Sequence, residues 1–126
     1  MAITAAGTER QRTAVRQLEW LLTHRGGRGW GRGLAGGLAG FRAWLDAEAD
    51  HDRELLADAP RLVFLTRRLQ RQRWRMRQCL DRLMSNRGDD QVDRDLRQLL
   101  GQARLYRREM AELLYQAYEV DLGGEH

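Results

Sequence analysis

The sequence has little proline, little cysteine and no long apolar run, and each shortage excludes a kind of protein. Its 126 residues contain one proline, so long helices can run without interruption. A single cysteine, Cys79, excludes an internal disulfide, and we expect it to be a small buried hydrophobe. No apolar run approaches the roughly 20 residues of a membrane-spanning helix. The length fits one domain, residues 1–126.

Lysine is absent altogether, because all 22 positively charged residues are arginine. Isoleucine is nearly missing too, whereas alanine, glycine and leucine are abundant, a pattern typical of a GC-rich genome. A protein selected for charge in order to bind nucleic acid normally also uses lysine. The 18 acidic residues are interspersed with the arginines, as on a solvated helical surface. The net charge of +4 therefore gives little reason to expect a nucleic-acid partner.

The first residues, "MAITAAGTERQR", contain no basic segment followed by an apolar one. We therefore expect neither a signal peptide nor a transit peptide. Together with the lack of a membrane-spanning segment, this predicts a cytoplasmic protein without membrane contact.

Apolar residues recur at spacings of three and four, and no alternating strand pattern occurs, which predicts an all-α fold. We expect helices at about 8–24, 34–57, 60–85 and 89–120. Thr8 opens a sequence of the capping-box form, and Pro60 suits the first turn of the third helix. Short links between antiparallel neighbours predict an up-down-up-down four-helix bundle.

The stretch "RGGRGWGRGLAGG", residues 25–37, carries seven glycines and three arginines. Arginine–glycine segments that bind RNA usually extend over repeated units with aromatic stacking, whereas this one has a single Trp30. It also lacks the Gly-Lys-Ser/Thr ending of a phosphate-binding loop. We interpret residues 25–37 as the loop between the first two helices.

Polar residues interrupt the apolar stripes at mid-height on three helices, namely Glu48, Arg73 and Tyr106. A buried charge costs several kcal/mol unless it is paired or hydrogen-bonded. This arrangement predicts a Glu48–Arg73 ion pair with the Tyr106 hydroxyl attached. In the alternative, Arg73 extends to the surface along its methylene stem and Tyr106 is an ordinary core aromatic. Both interpretations stay open.

Three segments resemble the hemerythrin-like domains, four-helix bundles that usually hold two iron atoms between histidine and carboxylate side chains. They are "WLDAEADHDRELLADAPRL" (44–62), "RRLQRQRWRMRQCLDRL" (67–83) and "LYRREMAELLYQAYEVDLGGE" (105–125). The Tyr-x-x-Tyr-x-Val-Asp-Leu-Gly-Gly ending is similar to the tails of one branch of that family. The resemblance implies a hemerythrin-like fold.

The metal-binding positions that the resemblance implies carry other residues here. Where the family has His-x-x-x-Glu on its second helix, this chain has Trp44 and Glu48. Where the third helix has His-x-x-x-His, Arg73 and Arg77 stand. The fourth-helix histidine matches Tyr106. A guanidinium cannot become a metal ligand, so we expect no metal and no cofactor.

The remaining positions of the implied site are less clearly aligned. The first-helix histidine matches Trp20, with His24 one turn on as the alternative. The nearest acidic residues on the fourth helix are Glu109 and Glu112, neither at the family's usual spacing. We expect Trp20, Trp44 and Trp74 to fill the former metal cavity, and we expect the histidines to be exposed, namely His24, His51 and His126.

Three functions from different classes follow. In the first, the former metal cavity binds a small organic molecule or catalyses metal-independent acid–base chemistry. Glu48, Arg73 and Tyr106 would carry the chemistry, and the ligand would be bound by Trp20, Trp44, Arg77 and Glu112. In the second, the bundle is a non-catalytic interaction or oligomerisation module that uses the apolar surface of its C-terminal helix.

The third function is nucleic-acid binding. It would use an outer stripe of the third helix beside Trp74, made of Arg67, Arg68, Arg71, Arg75 and Arg82. A charged helical face is usually only solvated, so we expect this function least.

Overall fold

The computed structural model describes the backbone of residues 3–85 and 88–123 and, within these, the side chains of residues 9–57, 59–85, 88 and 90–116. The described residues form four α-helices and no strand: α1 (Ile3–Thr23), α2 (Trp30–Asp58), α3 (Val63–Ser85) and α4 (Asp89–Gly123). Each helix packs against the next, and α1 also packs against α4. The predicted all-α four-helix bundle is confirmed. No described helix is long and apolar enough to cross a membrane.

The ends of three helices differ from the prediction. Because α1 begins at Ile3, Thr8 lies inside the helix and the predicted capping box is wrong. Pro60 begins a single turn of 3-10 helix, Pro60–Leu62, and α3 follows from Val63. At the other end of the chain, α4 continues to Gly123 instead of ending near residue 120.

The glycine-rich stretch is mostly helical, so the predicted loop over residues 25–37 is wrong in extent. Only residues 24–29 connect α1 to α2, which begins at Trp30. Gly26 and Gly29 have φ angles of 88° and 76°, a left-handed conformation that glycine adopts without strain. The Trp30 indole Nε1 donates a hydrogen bond to the Leu21 carbonyl at 2.8 Å. This contact fixes the start of α2 against the end of α1.

The interior is a continuous apolar core to which all four helices contribute. Its largest fully buried apolar side chains include Leu18, Phe41, Leu69, Met76, Leu96 and Leu113. Cys79 is fully buried, as predicted, and its Sγ donates a hydrogen bond to the Asp95 carbonyl at 3.1 Å. Burial raises the pKa of this thiol, which keeps it protonated and unreactive.

Candidate functional site

Four polar side chains lie buried inside the bundle: Glu48 and Asp52 on α2, Arg73 on α3 and Tyr106 on α4. Residues four apart share one face of a helix, so Glu48 and Asp52 point into the same part of the interior. The prediction that Glu48, Arg73 and Tyr106 meet is confirmed, and the alternative in which Arg73 reaches the surface is wrong.

Hydrogen bonds join these side chains into one chain, which we call the polar chain. Arg73 Nη1 donates to the Tyr106 hydroxyl at 2.9 Å, and that hydroxyl donates to Glu48 Oε2 at 3.1 Å. Arg73 Nη1 also donates to Asp52 Oδ1 at 3.3 Å, while Nη2 donates to Asp52 Oδ2. The predicted Glu48–Arg73 ion pair is therefore wrong, because Asp52 binds the guanidinium with both oxygens and Tyr106 stands between Arg73 and Glu48.

The surroundings fix the protonation of the two central groups. Burial and the neighbouring charge of Glu48 raise the pKa of Tyr106, against the opposing effect of Arg73. Burial disfavours the charged form of Arg73, but contacts with Tyr106 and Asp52 outweigh it and raise its pKa. Arg73 is thus a permanent cation, and Tyr106 is a hydrogen-bond donor instead of a proton acceptor.

The polar chain extends towards the surface at His51. The His51 side chain is 25% exposed, and its Nδ1 lies 3.7 Å from Glu48 Oε1. The prediction that His51 is solvent-exposed is wrong. Residues three apart are neighbours on a helix, and the His51 ring contacts Glu48. Its Nδ1 is buried and has no hydrogen-bond partner among the described residues.

Trp44 lies beside the polar chain, one turn before Glu48 on α2. Its ring meets the rings of Tyr106 and Phe41 edge-on, with centroids 5.4 Å and 5.3 Å away. The indole Nε1 is buried and finds no acceptor among the described residues. Trp44 is therefore buried in the interior, and its role in filling a former metal cavity stays a prediction.

A groove of about 400 Å³ runs between α1 and α2 and has Trp44 in its wall. We call it the Trp44 groove; its lining comprises Glu9, Arg10, Thr13, Ala14, Gln17, Gly40, Ala43 and Trp44. It is open because three of these residues are alanine or glycine, and a Cβ built on Gly40 would meet no atom within 4 Å. Trp44 therefore separates a surface groove from the buried polar chain.

Three residues predicted to contact a ligand in the cavity lie elsewhere. Trp20 is 58% exposed and stacks on the exposed His24 ring at 4.3 Å. Arg77 forms an ion pair at 2.8 Å with Asp46 at the rim of the bundle. Glu112 is exposed on α4 and accepts a hydrogen bond from Gln116 at 3.5 Å.

Trp74 also lies outside the interior, with 59% of its surface exposed, so the prediction that it fills an interior cavity is wrong. The prediction that His24 is exposed is confirmed. His126 lies outside the described residues.

The polar chain does not fit a di-iron centre. Such centres in helical bundles need several imidazoles and carboxylates that converge on the metals, but Arg73 and Tyr106 occupy this interior. The carboxylates of Glu48 and Asp52 already accept hydrogen bonds from them. Among the described residues, no three histidine, cysteine or acidic side chains form a group that could hold an ion.

Asp52 and His51 are the residues that sequence reasoning missed. Both belong to the acidic run "EADHDRE", which reads as a solvated surface. The available signal was their spacing from Glu48, because positions three and four residues on share its helical face.

No family model, no curated protein and no solved structure matches the chain.

Proposed function

We propose that the chain is a hemerythrin-like bundle without a metal centre that binds a small organic molecule in the Trp44 groove. The described parts of the segments that resemble the family lie on α2 and the 3-10 turn after it, on α3 and on α4. Four positions that the resemblance aligns with metal ligands meet inside the bundle, at Trp44, Glu48, Arg73 and Tyr106. This convergence supports the resemblance, although Trp20 and Arg77 lie outside it.

One observation carries the proposal: Trp44 lines the groove and also contacts the Tyr106 ring. Ligand sites are typically concave, mostly apolar and about 300–1,000 Å³ in volume, with a few polar groups. The Trp44 groove has this size, three small residues in its lining and an arginine, Arg10. The Glu9 carboxylate in the same lining forms an ion pair with Arg12 at 3.7 Å. These features suit a flat, largely apolar molecule that carries one anionic group.

The polar chain supports binding over catalysis. Arg73 and Tyr106 already satisfy each other and the two carboxylates. Because Tyr106 stays protonated, it has no role as a base at neutral pH. Its role in the proposal is to hold the inner edge of Trp44, so that the groove keeps its shape when a ligand enters.

The test is a fluorescence titration with 1-anilinonaphthalene-8-sulfonate, an aromatic ring system with one sulfonate. Gly40→Leu places a side chain in the groove without a clash, since the space around the Cβ is open. We expect this variant to bind the probe about tenfold more weakly than the parent protein, a loss of about 1.4 kcal/mol.

Gly101→Leu is the matched control, because Gly101 is also an exposed helical glycine with open space around it, on α4 and away from the groove. It should bind the probe as the parent protein does. Equal binding by the Gly40 variant and the parent, or no binding by the parent, would refute the proposal. Thermal unfolding of both variants checks that they are folded.

A further inference from the structure

The outer face of α3 concentrates positive charge. The helix contains seven arginines and one aspartate, a formal charge of +6, whereas the whole chain has +4. Three of the seven have carboxylate partners, namely Arg73 with Asp52, Arg77 with Asp46 and Arg82 with Asp95. Four others are exposed along one side of the helix, Arg67, Arg68, Arg71 and Arg75.

These four guanidinium groups have no ion-pair partner in the described part of the chain. On other helices, Arg42 and Arg104 have carboxylate partners, whereas Arg16 and Arg107 have none among the described residues. Position 71 lies four and three residues after the adjacent positions 67 and 68, and position 75 lies four residues further on, so the four follow one side of α3 over roughly 12 Å. The result is a row of unneutralised cations.

Two large aromatic side chains share this surface. Phe64 is 75% exposed and Trp74 is 59% exposed. The Arg67 guanidinium lies over the Phe64 ring, 6.0 Å from its centroid. A shallow depression of about 260 Å³ is lined by Trp74 together with Arg67, Gln70 and Arg71. Trp74 thus offers an exposed aromatic surface beside two arginines.

We propose that this surface, from Phe64 to Arg75 on α3, binds single-stranded nucleic acid. A base would stack on Trp74 in the depression, and the adjoining phosphates would pair with the row of arginines. Single-strand binding sites combine these two elements, a cationic track for the backbone and an aromatic platform for the bases. An acidic protein surface would satisfy the arginines but would give no reason for an exposed indole in the same depression as Arg67 and Arg71.

Composition alone gives little reason to expect a nucleic-acid partner, whereas the arrangement of residues on α3 does. The totals of 22 arginines and 18 acidic residues suggest a mixed, solvated surface. The fold places four arginines without an ion-pair partner among the described residues on one helix, together with two exposed aromatic rings. Local charge rather than net charge determines phosphate binding.

The test is fluorescence anisotropy of a fluorescein-labelled oligo(dT) of 20 nucleotides, titrated with the full chain between 50 and 200 mM salt. Trp74→Ala should weaken binding about tenfold, as expected for the loss of one stacked base. It should leave the binding of heparin, a polyanion without bases, unchanged. The double variant Arg67→Gln/Arg71→Gln should reduce the slope of log affinity against log salt by about 1.4.

The matched control is Arg16→Gln/Arg107→Gln, which removes the same charge from exposed arginines on α1 and α4. This control should bind more tightly than the Arg67/Arg71 variant. Equal losses in the two double variants, or no effect of Trp74→Ala, would show a general polyanion surface and overturn the proposal. Failure of the parent protein to bind at 50 mM salt would also overturn it. Since Gly40→Leu fills the Trp44 groove and leaves α3 untouched, it should not alter these results.

Discussion

Arg73 is a cation inside an apolar bundle, and its neutralisation depends on one residue, Asp52. Both guanidinium nitrogens of the terminal fork bond to the Asp52 carboxylate, and both side chains are buried. Glu48 contacts the guanidinium only through Tyr106. Asp52 and Glu48, the two buried carboxylates on α2, therefore have different roles. Asp52 balances a charge, and Glu48 accepts a hydrogen bond.

This difference predicts unequal costs for two isosteric substitutions. Asp52→Asn leaves a buried guanidinium without a counter-charge and should lower the free energy of unfolding by about 3–5 kcal/mol. Glu48→Gln keeps an oxygen that accepts from Tyr106 and should cost no more than about 1 kcal/mol. Urea unfolding at pH 7 measures both. An equal or larger cost for Glu48→Gln would mean that Glu48 is the partner of Arg73.

At the residue scale, helical spacing predicted which helices supply polar groups to the interior but not how these groups pair. The meeting of Glu48, Arg73 and Tyr106 follows from the stripe positions. The choice between Glu48 and Asp52 depends on distances of a few ångströms across the bundle, which spacing along the chain does not contain.

At the scale of the elements, the close contact of α1 and α2 depends on glycine. A Cβ on Gly37 would lie 3.0 Å from Leu18 Cδ2 and 3.2 Å from Leu21 Cδ1. Both leucines are buried and have little room to move. Gly33 has a similar contact with Leu21 at 3.1 Å. The glycines inside α2 therefore allow the helices to approach, instead of making the segment a loop.

Two substitutions at adjacent positions test this account of α2. Gly37→Leu forces a side chain between α1 and α2 and should destabilise the fold by about 1–3 kcal/mol. Gly36→Leu, on the exposed side of the same turn, meets no atom within 4 Å and should stabilise it by about 0.5–1 kcal/mol through helix propensity. Thermal unfolding compares the two. A similar melting temperature for both variants would contradict the packing role of Gly37.

The start of α2 was mispredicted because glycine has a low intrinsic helix propensity, about 1 kcal/mol below alanine. Tertiary packing outweighs this cost, since Leu34, Leu38 and Phe41 are buried on the same helix. Where the backbone does leave the helical region, at Gly26 and Gly29, the loop prediction was right.

For the whole molecule, apolar periodicity predicted the fold class but not which large side chains lie on the surface. Three of the residues predicted to lie inside are on the outside, namely Trp20, Trp74 and Arg77. Helix rotation explains this: Leu18 and Leu21 take the inward positions of α1, which leaves Trp20 on the outer side. Similarly, Arg73 faces inward on α3, so the adjacent Trp74 turns outward.

The same rotation places one set of polar side chains in the interior and another on the surface. Inside, every charge of the polar chain has a partner in Asp52, Tyr106 or Glu48. Outside, the arginines of α3 stand beside exposed aromatic rings. The Trp44 groove borders the interior polar chain, and the proposed nucleic-acid surface is the outer face of α3.

We propose that arginine, tyrosine and carboxylate side chains occupy the place where the resemblance to hemerythrin-like domains would put a metal centre. The most direct test is the content of iron, manganese and zinc per chain, measured by inductively coupled plasma mass spectrometry on protein purified without chelator. The account predicts a content far below one ion per chain. About two ions per chain, as in di-iron bundles, would contradict it, because the ligands would then have to include His24, His51 and carboxylates that now lie on the surface.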